Sequence, residues 1–171
     1  MKLDELPPLE VMWEGKFVRA LRRGKWEYAS RARDIRAVVI LAEHEGKVIL
    51  VDQPRVPTGS RCVELPAGLV GDHDPDATVE ATAIKELEEE TGFTASHVER
   101  LGDFYSSPGM LAEGFTLVRA HGVRKVGDGG GDDSEDINVH LVPRADIPNF
   151  IEQMRAQGFG VDAKLMLLLN H

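Results

Sequence analysis

Glu86, Glu88, Glu89 and Glu90 put four carboxylates into five residues. On a helix, Glu86 and Glu90 are neighbours one turn apart, and a like-charge pair there costs roughly 0.2–0.5 kcal/mol. The cluster also falls in the last turns, where the helix dipole prefers cations, at about another 0.3–1 kcal/mol per charge. Only Lys85 lies near enough in sequence to offset this, toward Glu89. Two readings fit such a run. One is a solvated acidic face. The other is half of a divalent-cation site, because Mg²⁺ takes hard oxygen ligands, keeps several waters and accepts substrate phosphate oxygens as the remainder.

The helix that must carry these acids is predicted over 75–91. Asp74 is a suitable N-cap, Pro75 a suitable first residue and Gly92 a suitable C′ residue. Val79, Ala83 and Leu87 give it an apolar stripe. Ahead of it, Ile35–Ala42 and Lys47–Val51 read as strands joined by a glycine-containing hairpin connection. Pro54, Pro57 and Gly59 make a loop before Cys62–Leu65, and Pro66-Ala67-Gly68 makes an abrupt turn. Phe17–Leu21 and Trp26–Arg31 read as strands around a turn at 22–25. Further strands are expected near 98–105, 114–120 and 137–142, with helical segments over 144–156 and 162–170. Phe150, Ile151 and Met154 are core candidates. Gly127–Asp136 reads as a flexible acidic loop. The order of elements is that of an α+β fold.

Charge narrows the search. The chain of 171 residues carries a net −9. Residues 64–103 alone hold 11 acidic and 2 basic side chains, while residues 1–36 hold 9 basic and 6 acidic. Four more acids fall within 132–136. An acidic balance disfavours non-specific binding to nucleic acid or anionic membrane. The longest apolar runs are far short of a membrane span, and the acidic, proline-bearing start does not read as a signal peptide. One cysteine, Cys62, leaves no internal disulfide and makes a reducing, cytoplasmic setting the default expectation. The histidines at 44, 73, 97, 121, 140 and 171 lack zinc-motif spacing. No P-loop or nucleophile elbow is present.

Glu64-Leu65-Pro66-Ala67-Gly68, a loop, and then Lys85-Glu86-Leu87-Glu88-Glu89-Glu90-Thr91-Gly92-Phe93 closely resemble the Nudix box of Nudix hydrolases. The run ELEEETG matches residue for residue. Lys85 stands where that box usually has Arg, Ala77 where it usually has an early Glu, and the interval before Lys85 is three residues longer. The resemblance extends over most of the chain. Asp52-Gln53-Pro54-Arg55, Ser107-Pro108-Gly109-Met110, the acidic loop ending in Glu135-Asp136-Ile137, and Val161-Asp162-Ala163-Lys164 look like the ADP-ribose pyrophosphatase subfamily.

That resemblance implies a Nudix fold, a mixed β-sheet sandwiched between helices, with an N-terminal β segment exchanged in a homodimer. It divides the chain into a base-binding and dimerising segment over 1–36 and a hydrolase domain over 37–171. It implies metal ligation by Glu86, Glu90 and the carbonyl of Ala67, with Glu89 as a further ligand or orienting group. Mg²⁺, or alternatively Mn²⁺, would be the ion. Glu64 would sit near the phosphates. Glu135 would position or deprotonate the attacking water, with Asp133 in reserve. Arg55 would meet a diphosphate oxygen. Phe17 and Trp26 would stack on the base, with Glu27 and Arg31 at its edge and Gly109 and Met110 in the proline–glycine loop beside the substrate. For Phe17 and Trp26 a core position is the alternative. The implied reaction is hydrolysis of a nucleoside diphosphate sugar, first of all ADP-ribose to AMP and ribose 5-phosphate. GDP-mannose or another sugar nucleotide is the rival substrate, and a non-catalytic ligand-binding domain the rival class.

Overall fold

β4 (Ala37–Leu41) shows how the core is laid down. Val38 and Ile40 face one way, and Val39 and Leu41 the other, yet all four are buried. A strand buried on both faces reads as an unbroken apolar run rather than an alternating one. In the computed structural model of this chain, all residues are described except Met1, Asp34, His73, Asp133, Ser134, Asn170 and His171. The reserve candidate Asp133, together with His73 and His171, therefore lies outside the described residues.

The chain begins with three antiparallel strands, β1 (Glu10–Glu14), β2 (Val18–Arg23) and β3 (Trp26–Arg31), which form a sheet of their own. β4 follows, then the short β5 (Glu43–His44), β6 (Lys47–Arg55), β7 (Ser60–Glu64) and β8 (Ala67–Leu69). Helix α1 spans Val79–Thr91. After it come β9 (Phe93–Thr94), β10 (His97–Tyr105), β11 (Gly114–His121), β12 (Arg124–Lys125) and β13 (Asn138–Pro143). Helix α2 (Ile147–Ala156), β14 (Gly160–Val161) and a 3₁₀ segment, Ala163–Leu169, close the chain. One sheet has the order β10-β11-β4-β8 and another β13-β6-β7-β14. β11–β4 and β14–β7 are parallel, whereas β10–β11, β4–β8, β13–β6 and β6–β7 are antiparallel, so both sheets are mixed. Helices cover both faces, as the sandwich expectation required.

Two apolar clusters record this layering. On one side Ala83 and Leu87 of α1 meet Val38, Ile40, Ile49, Phe93 and Val118. On the other, Ile147, Ile151 and Met154 of α2, with Leu165 and Leu168, meet Val39, Leu50, Leu65 and Leu117. Fully burying a side chain such as Leu87 contributes about 1.5–3 kcal/mol. That anchorage fixes α1, and with it Glu90, which is buried on the same side of the helix as Ala83 and Leu87.

The structure corrects some boundaries. Helix α1 starts at Val79 rather than at residue 75, because Thr78, not Asp74, caps it by accepting from the Ala81 amide at 3.1 Å. Asp74 instead holds a local turn, its carboxylate accepting from the Asp76 amide. The last segment, Ala163–Leu169, is 3₁₀ rather than α-helical. β1 was not expected at all: its five residues are all exposed, so it carries no burial alternation.

Candidate active site

Between Glu64 and Ala67 the chain crosses from one sheet to the other. β7 pairs with β6, Leu65 and Pro66 make the step, and β8 pairs with β4 with Ala67 opposite Val39. The step brings the β8 backbone beneath the last turns of α1. The Ala67 amide donates to Glu90 Oε2 at 3.1 Å. Gly68 leaves room for Glu86. A Cβ at Gly68 would lie 2.2 Å from both Glu86 Cγ and Cδ, and 2.4 Å from its Oε1. The two carboxylates expected to act together are thus seated side by side on one short strand.

The setting of Glu90 is strongly biased against negative charge. Glu90 is 3% exposed. Burial pushes its carboxyl up to about 8; the Ala67 amide pulls it back, while nearby Glu86 and Glu135 push it higher. A carboxylate in that position, with further acids around it, is a group in want of a cation. Lys85 does not supply it, because its ammonium is engaged with Glu89 at 2.5 Å, one turn along an exposed face.

Glu64 and Arg55 form a pair of their own. Arg55 Nε donates to Glu64 Oε1 at 2.7 Å and its Nη2 to Oε2 at 2.6 Å. This planar two-point grip compensates the burial of Glu64. Arg55 is partly exposed and lines the cavity described next.

A cleft of about 750 Å³ opens here, lined by Glu64, Ala67, Gly68, Lys85, Glu86, Glu89, Glu90, Asp132 and Glu135 on one side and by Arg31, Gln53, Arg55 and Lys164 among others. That volume is of ligand size. Among the described residues, no three His, Cys, Asp or Glu side chains form a ready-made metal cage. Two carboxylates with open space beside them suit Mg²⁺, which keeps waters and uses substrate oxygens.

The glycine-rich loop is not simply a solvated tether. Its amides cap the end of α1: Gly130 donates to the Glu90 carbonyl at 2.9 Å, Gly131 to Glu89 at 3.0 Å, and Val126 and Gly127 to Gly92. These satisfy carbonyls that a helix terminus otherwise leaves open. The same fold-back delivers Glu135 to the cleft, where its Oε2 accepts from the Asp132 amide at 3.1 Å.

Other expected residues are placed apart. Phe17, Trp26, Glu27, Gly109 and Met110 do not line the cleft of their own chain. Phe17 is 64% exposed and Trp26 45%, so neither is core. Arg31 does reach the cleft and pairs with Glu113 at 2.5 Å. The 106–112 loop meets the N-terminal sheet, where the Ala29 amide donates to the Met110 carbonyl at 2.9 Å. Glu113 and Lys164 line the cleft without having been singled out from the sequence. For Lys164 the quoted Val161–Lys164 motif was the available signal. Glu113 offered none.

The NUDIX domain model matches residues 32–163. The chain belongs to the NUDIX domain family. Its relatives include a GDP-mannose pyrophosphatase of Cronobacter sakazakii, 34% identical over 79% of this chain and 71% of that one. An ADP-ribose pyrophosphatase of Bacillus subtilis is 47% identical over 45% of this chain, a match that spans only 40% of the relative's length. A solved structure titled as an ADP compounds hydrolase superposes with a TM-score of 0.66, covering 90% of this chain and 95% of that one at 21% identity, which supports the shared NUDIX fold. The box read from Glu64 to Phe93 falls wholly inside the matched residues. No helix among the described residues is long and apolar enough to cross a membrane.

Proposed function

We propose that this NUDIX protein is a divalent-metal-dependent hydrolase of the pyrophosphate bond in a nucleoside diphosphate sugar, with ADP-ribose the first substrate and AMP and ribose 5-phosphate the products. The observation that carries this reading is the buried Glu90 carboxylate beside Glu86, both over β8 and both facing a ligand-sized cleft with Glu135.

Glu86, Glu90 and the Ala67 carbonyl would hold the ion, with Glu89 as a further or orienting group. When bound, Mg²⁺ or Mn²⁺ neutralises the diphosphate and lowers the pKa of coordinated water. Glu135 takes up a proton from the attacking water, a task needing only hydrogen-bond reach and a suitable pKa. Water then adds to one phosphorus in line as the bridging oxygen leaves on the other phosphate. Glu64 fixes Arg55, which meets a phosphate oxygen. Phe17 and Trp26, with Glu27 and Arg31, hold the base, and Gly109 and Met110 border it.

Because Phe17 and Trp26 lie outside their own cleft, the base clamp is completed by a second copy of this chain. Residues 1–36 are the exchanged segment and 37–171 the hydrolase domain. The separate N-terminal sheet supports this, exposing Val11, Met12, Trp13, Phe17 and Trp26 together. Sedimentation equilibrium is expected to give twice the 18.8 kDa chain mass. A monomer at micromolar concentration removes the exchange.

A second substrate reading, GDP-mannose, is favoured by the Cronobacter relative's longer match. Stacking on aromatics tolerates any base, so activity decides. A panel of sugar nucleotides with Mg²⁺ or Mn²⁺ and product analysis is expected to show the highest kcat/KM on ADP-ribose. A tenfold preference for GDP-mannose would reassign the substrate. Lys85 and Ala77 motivate the non-catalytic alternative, which predicts ADP-ribose binding with no turnover under any metal.

A further inference from the structure

Behind the cleft, Arg61 joins two segments far apart in sequence. On β7, its Nε donates to Asp52 Oδ1 at 2.5 Å. Its Nη1 donates to Asp136 Oδ2 at 2.6 Å, and its Nη2 to the Asp136 main-chain carbonyl at 2.9 Å. The inner end is firmly held. Asp52 is 1% exposed and also accepts from His140 Nε2 at 2.6 Å and Asn138 Nδ2 at 3.1 Å. Burial alone would raise the Asp52 carboxyl, but the bonds from His140, Arg61 and Asn138 outweigh it and hold it below the ordinary range. The inner carboxylate therefore stays charged and fixes the guanidinium.

An exposed ion pair is ordinarily worth little, largely because two long side chains must be ordered to make it. Here that ordering has already been met on the Asp52 side. The outer arm also reaches a main-chain carbonyl, which no rotamer change of Asp136 can release. Asp136 directly follows Glu135, the acid that lines the cleft.

We infer that Arg61 is a positioning residue: clamped by the buried Asp52, it fixes the backbone at Asp136 and so aims Glu135 into the cleft. This rests on the proposed role of Glu135. Lysine cannot replace it, since an ammonium lacks the planar fork that reaches Asp52 and both Asp136 acceptors at once.

The test combines ADP-ribose kinetics with amide hydrogen exchange of the substrate-free protein. Arg61→Gln is expected to lower kcat on the order of tenfold or more with KM within about twofold, since small misplacements of a reacting group cost that much. Arg61→Lys should fail to restore the rate. Exchange should quicken at residues 135–138 and stay unchanged in α1. In the Glu135→Gln background, Arg61→Gln should cost nothing further, because two residues acting through one function are not additive. Should Arg61→Gln fold poorly around its buried Asp52, Asp136→Ala removes the side-chain contact and leaves the main-chain one, and is expected to quicken the same amides to a smaller extent. Unchanged exchange at 135–138 in both variants overturns the clamp, as does a full multiplicative loss in the double variant. A full-rate Glu135→Gln would instead sink the water-positioning role, leaving the exchange rates to decide whether Arg61 holds the segment.

Discussion

Glu90→Gln is expected to abolish most hydrolysis while leaving a folded and more pH-tolerant protein. Metal stabilisation of developing charge is worth several kcal/mol, so losing a ligand should lower kcat on the order of 10²–10³-fold. Glu86→Gln should behave alike in rate. Glu90→Gln should also change the pH dependence of stability. Glu90 has its folded-state pKa raised from 4.5 to about 8 by burial, with Glu86 and Glu135 adding to the push. Folding thus retains a proton that the unfolded chain has lost, and stability falls as pH rises from about 4.5 to 8. In metal-free protein the Tm should decline across that window. Glu90→Gln cannot ionise and should flatten the decline. Added Mg²⁺ should raise the wild-type Tm most at the alkaline end, where the ion can replace the proton. A Glu90→Gln variant with wild-type rate would remove Glu90 from the metal site, and a metal-free Tm profile unchanged by it would contradict the raised Glu90 pKa.

The largest stability effect should come from residues with no side chain. Gly129 has φ +74° and a Cβ there would lie 2.3 Å from the Thr91 carbonyl carbon and 2.6 Å from the Gly92 nitrogen. Gly92, at φ +72°, would place its Cβ 2.3 Å from the Gly127 oxygen. All of these neighbours are backbone and cannot rotate away. The left-handed conformation alone costs a non-glycine residue about 1–3 kcal/mol, and the clash adds to it. Gly129→Ala should therefore lower Tm by roughly 5 °C or more, at about 2–4 °C per kcal/mol for a chain of this size. It should also lower kcat, since the loop that caps α1 carries Glu135. Gly46→Ala makes the control: its φ is also positive, at +73°, but nothing lies within 4 Å of the added carbon. Equal losses at Gly46 and Gly129 would show that backbone strain alone, rather than the close approach of loop and helix, sets the effect.

These expectations mark what the sequence could and could not convey. Trp26–Arg31 is a strand over the very residues read from it, and Gly92 ends α1 as a left-handed C-cap. Strong local signals produced both. The Lys85–Glu89 pair was legible because helical spacing fixes it. Arg55 was expected to face phosphate, and its two-point grip on Glu64 was not foreseen; nothing local couples positions across the β6–β7 hairpin. β1 was missed because an exposed strand leaves no alternation to read. The capping role of the acidic loop was hidden for a different reason. It is performed by backbone amides of glycines, whose letters say only that the chain can bend. The opening charge puzzle is likewise resolved in space: the helix end that should repel acids has its carbonyls occupied by loop amides, while Glu86 and Glu90 turn toward β8.

The most direct test of the account follows ADP-ribose by phosphorus NMR with protein at saturating Mg²⁺, then after chelation. AMP and ribose 5-phosphate should appear with the metal, stop on chelation and resume when Mg²⁺ is restored. ADP-ribose that binds yet stays intact with both Mg²⁺ and Mn²⁺ would contradict it, and would leave this NUDIX chain a binding domain.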